Sequence, residues 1–130
     1  MDQITIQDLA VQWRVGVTKK ERSRPQKLLL TLALAVDARS AAKKDDLALT
    51  IDYFALAQRV RQWGEPRTWN LIETVAAELA DLVLAEFKPA AVEVEVKKFV
   101  LPDTACVSVK ITRRPWRARA RVFPDSLRGR

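Results

Sequence analysis

The sequence predicts an α+β fold: a four-stranded antiparallel sheet with two helices on one face, in the order ββααββ. Three observations predict it. Four segments place apolar residues at every second position, two place them at helical spacing, and both helical segments fall between the second and third strands. The 130 residues suit one domain, and a 48% hydrophobic content is enough to build a core.

The first strand starts with Ile4 and Ile6 on one parity and continues with Leu9, Val11, Trp13, Val15 and Val17 on the other. The phase slips near Gln7 and Asp8, which is the mark of a β-bulge. Thr18 to Gln26 is polar and charged, with Pro25 near its end, and forms a loop. In the second strand Leu28, Leu30, Leu32, Leu34 and Val36 share one face, and a long antiparallel hairpin results. Ala38 to Leu49 is a polar connection with room for a helical turn. The first helix spans Asp52 to Trp63, capped by Thr50 or Asp52 and stopped by Gly64 and Pro66. The second spans Leu71 to Phe87, with Ile72, Val75, Ala76, Leu79, Leu82 and Val83 in one stripe, and Pro89 ends it. Val92, Val94 and Val96 then alternate with Glu93, Glu95 and Lys97. After Leu101-Pro102-Asp103, Ala105, Val107, Val109 and Ile111 form the last apolar face. The domain is expected to occupy residues 1–113, with an Arg-rich, mobile tail over 114–130.

Composition excludes whole classes of chemistry. There is no histidine and one cysteine, Cys106, so a disulfide within the chain, a His/Cys zinc site and His-activated nucleophiles are all ruled out. Acid–base work falls to Asp, Glu, Tyr and Lys. The net charge of +7 is concentrated in the tail, where Arg113 to Arg130 holds seven arginines and one aspartate, or +6. The other 112 residues carry +1. So small a charge is a poor footprint for nucleic acid. No apolar run reaches the roughly 20 residues of a membrane helix. The start, Met1-Asp2-Gln3-Ile4, lacks the basic and apolar pattern of a signal peptide, and the cytoplasm is the expected compartment.

Four residues stand out as candidates for chemistry. Lys98 shares the parity of Val92, Val94 and Val96, so a regular strand turns it toward the covered face, where an ammonium requires a partner. A strand that ends earlier releases it to solvent. Glu73, three residues after Asn70, has capping-box spacing. At a helix start its carboxylate serves either the backbone or a ligand edge with two N–H donors. Tyr53 occupies the first turn of its helix, as a core ring or as a stacking and proton-transfer group. Glu21 lies in the charged loop between Lys20 and Arg22.

In this order the residues resemble the dihydroneopterin aldolase family over roughly residues 2–113. The resemblance rests on Gly16-Val17, Glu21 with Pro25-Gln26-Lys27-Leu28, Leu49-Thr50-Ile51-Asp52-Tyr53, Asn70-Leu71-Ile72-Glu73 with Ala76-Ala77-Glu78, and Val94-Glu95-Val96-Lys97-Lys98 leading to Val107-Ser108-Val109. It implies the tunnelling fold, with subunits joined into homo-oligomeric rings, tetramers or octamers, and sites between subunits. It also implies a metal-free and cofactor-free retro-aldol in folate biosynthesis that releases glycolaldehyde from 7,8-dihydroneopterin and leaves 6-hydroxymethyl-7,8-dihydropterin. By the same resemblance Glu73 and its neighbour Ile72 hold the pterin, and Thr50 and Ile51 line its edge. Tyr53 packs on the ring and moves a proton, Lys98 stands by the reacting nitrogen, and Glu21 positions the side-chain hydroxyls.

The chain departs from the family pattern in places. Phe99 follows the lysine where proline is usual, and the loop from Lys98 to Val107 is one residue short, which keeps Lys97 as a rival. Thr18-Lys19-Lys20 replaces the usual aromatic or acidic residues before the glutamate. With Arg22 and Arg24, these cations suit an epimerase acting on dihydroneopterin triphosphate. Two further alternatives are a nucleic-acid-binding module using the tail and a pterin-fold protein without catalysis.

Overall fold

A computed structural model describes residues 1–116. The arginine-rich stretch expected to be a tail therefore lies, from residue 117 on, outside the described residues. Five strands form one sheet: β1 (Asp2–Val15), β2 (Gln26–Val36), β3 (Thr68–Trp69), β4 (Ala91–Lys98) and β5 (Val107–Arg113), in the order β3-β1-β2-β4-β5. The four expected strands pair antiparallel. The expected count of four is corrected by β3, which pairs parallel with β1 through Arg14 with Thr68 and Val15 with Trp69. Two residues are too short to show any periodicity, and a parallel partner far along the chain leaves no local trace.

Four helices complete the order among the described residues. The short α1 (Lys19–Arg22) and α2 (Arg39–Lys44) sit in the polar connections, with a 3-10 turn at Leu47–Leu49. The two main helices are α3 (Tyr53–Gly64) and α4 (Ile72–Glu86), within two residues of their expected bounds. Asp52 is the N-cap of α3 and accepts from the amides of Phe54 and Ala55 at 3.0 and 3.1 Å. Such a cap is worth about 1 kcal/mol. Gly64 has a different role from the one its type suggested. It is the last residue of α3 and not a terminator beyond it, and a Cβ there would lie 2.0 Å from Cε2 of Trp13. The missing side chain is what lets α3 close onto β1.

Both main helices cover one face of the sheet. Leu28, Leu30, Leu32 and Leu34 are fully buried beneath them, as are Val92, Val94 and Val96. Each leucine contributes about 1.5–3 kcal/mol by leaving water. Trp13, Trp63 and Trp69 meet at centroid distances of 5.4–5.7 Å at one end of this core. The expected bulge is present. The β1–β2 register shifts between Ile6 and Leu9, and Asp8 takes the left-handed region at φ 55°. Its amide donates to Thr31 Oγ1 at 3.0 Å.

The strand directions fix where the ends of the helices fall. β1 runs from the Asp2/Val36 end of the sheet to the Trp13/Gln26 end. α3 starts near the first end and finishes against Trp13 at the second. β3 lies beside Arg14 and Val15, so α4 starts at the second end and returns toward the first.

Candidate active site

Lys98 is the last residue of β4, opposite Leu28, and continues the buried face of Val92, Val94 and Val96. It is 9% exposed and, among the described residues, the only buried polar or charged one. The covered end of a sheet cannot hold an ammonium alone. Its partner is Glu21, whose Oε2 stands 2.9 Å from Lys98 Nζ. Lys97 points to the opposite face and pairs with Asp8 Oδ1 at 2.9 Å, where the Asp8 carboxylate raises its pKa. The two rival lysines are thus separated in space. They serve different faces, and only Lys98 enters the covered side.

Glu21 is held from several directions. Its Oε1 accepts the Val17 amide at 3.0 Å, and the Gln26 side chain also reaches it. Gly16 leaves it room, since a Cβ there would lie 2.3 Å from Glu21 Oε1. The hydrogen bond from Lys98 holds the Glu21 carboxyl below the ordinary glutamate value of 4.5, against an opposing effect of burial. Arg22 turns away from this pair and donates to the carbonyls of Gly16 and Val17, both at 2.9 Å. Lys19, Lys20 and Arg24 are exposed around the loop. Gly16 and Gln26 entered the sequence reading only as marks of the resemblance and Arg22 only as a loop cation, with no part in holding Glu21. Their types gave little away, because their roles depend on the chain folding back over five or six residues.

Ile72 and Glu73 open α4 at the same end of the sheet. The capping box expected from Asn70 does not form. The N-cap is Leu71, which makes no side-chain cap bond, and Glu73 is the second helical residue. Asn70 lies one position too early for its side chain to reach the N2 and N3 amides. Glu73 is exposed, and among the described residues no hydrogen bond or ion pair engages its carboxylate. Ile72 is buried beneath it.

Thr50, Ile51 and Tyr53 are elsewhere. Thr50 and Ile51 line a shallow cleft with Ala35, Val36 and Ala90, at the far end of β2. Seven residues of β2 separate Ala35 from Leu28, the partner of Lys98, a span of about 23 Å at ~3.3 Å per residue. Tyr53 begins α3 at this far end, 64% exposed beside Phe54 at 70%. One chain therefore carries the candidate site in two separate halves: Glu21, Glu73 and Lys98 at one end of the sheet, Thr50, Ile51 and Tyr53 at the other.

An antiparallel hairpin, two helices inserted before a second hairpin, and carboxylate and lysine groups at the sheet end define a tunnelling fold of the pterin-enzyme class. The chain belongs to the dihydroneopterin aldolase (FolB) family, whose family model matches residues 4–112. Dihydroneopterin aldolase of Escherichia coli strain K12 is 37% identical over 98 residues, 75% of this chain and 80% of that protein. The crystal structure of a FolB from Vibrio cholerae superposes with a TM-score of 0.85 at 34% identity, covering 88% of this chain and 98% of that one. The Escherichia coli aldolase in complex with neopterin superposes with a TM-score of 0.83 at 35% identity, covering 87% and 99%.

Proposed function

We propose that the chain, a dihydroneopterin aldolase by family, cleaves 7,8-dihydroneopterin by a metal-free retro-aldol carried by Lys98, Glu21, Glu73 and Tyr53. The observation that carries this reading is the buried Lys98 held to Glu21 at the sheet end where the free Glu73 carboxylate opens α4. Glu73 takes the 2-amino group and adjacent ring N–H of the pterin, a bidentate, charge-assisted pair. Ile72 backs this contact. Thr50 and Ile51 line the pterin edge, and Tyr53 packs on the ring.

In the reaction a base removes the proton from the second side-chain hydroxyl, whose carbon becomes the aldehyde carbon of glycolaldehyde. The bond between the first and second side-chain carbons breaks. Its electron pair moves through C6 onto N5, where a proton completes the enamine. Protonation of the first side-chain carbon, with loss of the N5 proton as the C6=N5 bond re-forms, then gives 6-hydroxymethyl-7,8-dihydropterin. The dihydropterin C=N is its own electron sink, so neither a metal nor a Schiff base is required. Lys98 favours the charge that develops at N5. Glu21 orients the hydroxyls and Tyr53 transfers protons.

Since the two half-sites lie at opposite ends of one sheet, a second copy completes each site, in a homo-oligomeric ring of tetramer or octamer type. A polar pterin substrate fits a cytoplasmic enzyme, and the near-neutral body gives nucleic acid no footprint.

The exposed Lys19, Lys20 and Arg24 beside Glu21 favour one second reading, an epimerase acting on dihydroneopterin triphosphate. Incubation with dihydroneopterin, dihydromonapterin and their triphosphates, with products separated by chromatography, decides between them. Glycolaldehyde release supports the aldolase. Interconversion without cleavage supports the epimerase and sinks the aldolase reading.

A further inference from the structure

We propose that Trp69 is a positioning residue that sets the spacing between Glu73 and the Glu21–Lys98 pair. This inference rests on the roles of Glu73, Glu21 and Lys98 given above. Trp69 grips both sides of the half-site. Its carbonyl accepts the Gly16 amide at 3.0 Å, and the next amide, that of Val17, holds Glu21 Oε1 at 3.0 Å. Two hydrogen bonds therefore separate Trp69 from the Glu21 carboxylate. On the other side its indole Nε1 donates to Glu78 Oε1 at 2.9 Å, on α4 five residues beyond Glu73. The ring cannot swing away, because it is 5% exposed between Trp13 and Trp63, at 5.4 and 5.5 Å between centroids.

Among the described residues no other side-chain hydrogen bond ties the start of α4 to the sheet, and the buried Ile72 and Val75 hold it by packing. Leu71 offers no side-chain cap, and Asn70 and Leu71 are exposed. The strand that holds Trp69 is only two residues long, so its pairing with Arg14 and Val15 depends on this side chain being seated. A buried indole also fills space, and that role alone would affect stability and nothing else. The geometry here adds a second consequence. If the indole bond to Glu78 is lost, α4 can shift along the sheet while Glu73 stays on α4 and Glu21 stays on the loop. A ligand anchored by Glu73 would then present its side chain out of register with Lys98.

The test uses the full-length protein and reads kcat, KM, the dissociation constant of neopterin and the thermal midpoint. Trp69→Phe keeps an aromatic ring and removes the donor. The expected result is a fall in kcat of about tenfold or more, with neopterin affinity within about threefold of wild type. Glu78→Gln keeps the acceptor oxygen and should retain near-wild-type kcat, whereas Glu78→Leu should reproduce the Trp69→Phe loss. Trp63→Phe is the control, with a ring from the same cluster and no tie to Gly16 or Glu78. It should lower the thermal midpoint and leave kcat within about twofold.

A Trp69→Phe protein with unchanged kcat overturns the proposal. So does a Trp63→Phe protein with the same kcat loss, which would reduce both rings to core filling. Glu73→Ala separates this from failure of the underlying reading. Unchanged neopterin affinity there removes the anchor and with it the spacing argument. Lost affinity together with a kcat-neutral Trp69→Phe overturns the positioning role alone.

Discussion

Lys98 Nζ stands 2.9 Å from Glu21 Oε2, and this contact joins the end of β4 to the loop that follows β1. It brings the two groups together across a sequence separation of 77 residues. Lys98 is nine-tenths covered, so the pair does more than an exposed ion pair, whose worth is typically below about 1 kcal/mol.

The first prediction separates the two adjacent lysines. Lys98→Ala should lower kcat for dihydroneopterin cleavage by about 100-fold or more, because the cation facing the covered side is lost. Lys97→Ala should leave kcat within about threefold, because that ammonium is on the other face with Asp8. Steady-state cleavage followed by chromatography measures both. Comparable losses would mean that the strand face does not decide which lysine acts.

A second prediction concerns pH. In the folded protein Glu21 has its pKa lowered, chiefly by the hydrogen bond from Lys98. A carboxylate with a depressed folded pKa adds stability that is fully present above its unfolded value, near 4.5. That stability is lost as pH falls through the lower folded value. The stability gap between wild type and Glu21→Gln should therefore be level from about pH 6 to 8 and shrink below about pH 4.5. At neutral pH it should be about 1 kcal/mol, discounted because the Glu21 side chain is 32% exposed. Urea midpoints at pH 7 and pH 4 measure it, and a gap that widens toward acid would contradict the assignment.

A third prediction follows from the room left at Gly16. An alanine there would set its Cβ 2.3 Å from Glu21 Oε1, too close for any real contact. The carboxylate must move, and the bonds from Val17 and Lys98 move with it. Gly16→Ala should cost about 1–3 kcal/mol in stability and lower kcat more than it raises KM. Thermal unfolding and steady-state kinetics on the same sample test it. A silent substitution would mean that the loop yields freely.

Legibility in the sequence followed the range of the interactions. The alternation in Val92, Val94 and Val96 extends to Lys98, so its burial could be read from parity, and the slip at Gln7–Asp8 announced the bulge at Asp8. Asp52 capped α3 as its type suggested. Features that rest on distant chain segments left no such trace. β3 exists only because Trp69 meets Val15, and Gly64 is small because Trp13 presses on it. Asn70 and Glu73 had the spacing of a capping box, but the helix starts one residue later than that spacing requires. In the candidate site, Glu21, Glu73 and Lys98 are named from resemblance. The hold of Gly16, Val17 and Gln26 on Glu21 needed coordinates, since a loop's return path is set by what it packs on.

The last prediction tests the division of the site between copies. Lys98 pairs with Leu28, Tyr53 follows Thr50 and Ile51 beside Ala35, and those two β2 positions are about 23 Å apart, so no single pterin can touch both within one protomer. Lys98→Ala and Tyr53→Phe should each be nearly inactive alone. If each site takes Lys98 from one copy and Tyr53 from another, unfolding the two variants together and refolding them mixes subunits. About a quarter of the sites would then receive both native residues by random pairing. Activity should rise to about a quarter of wild type, and size-exclusion chromatography should show the mixed species at the oligomer's size. If both groups acted from one chain, no mixture could restore a native site and activity would stay at the level of the separate variants. The outcome does not depend on which pterin is turned over, so it tests the geometry separately from the substrate.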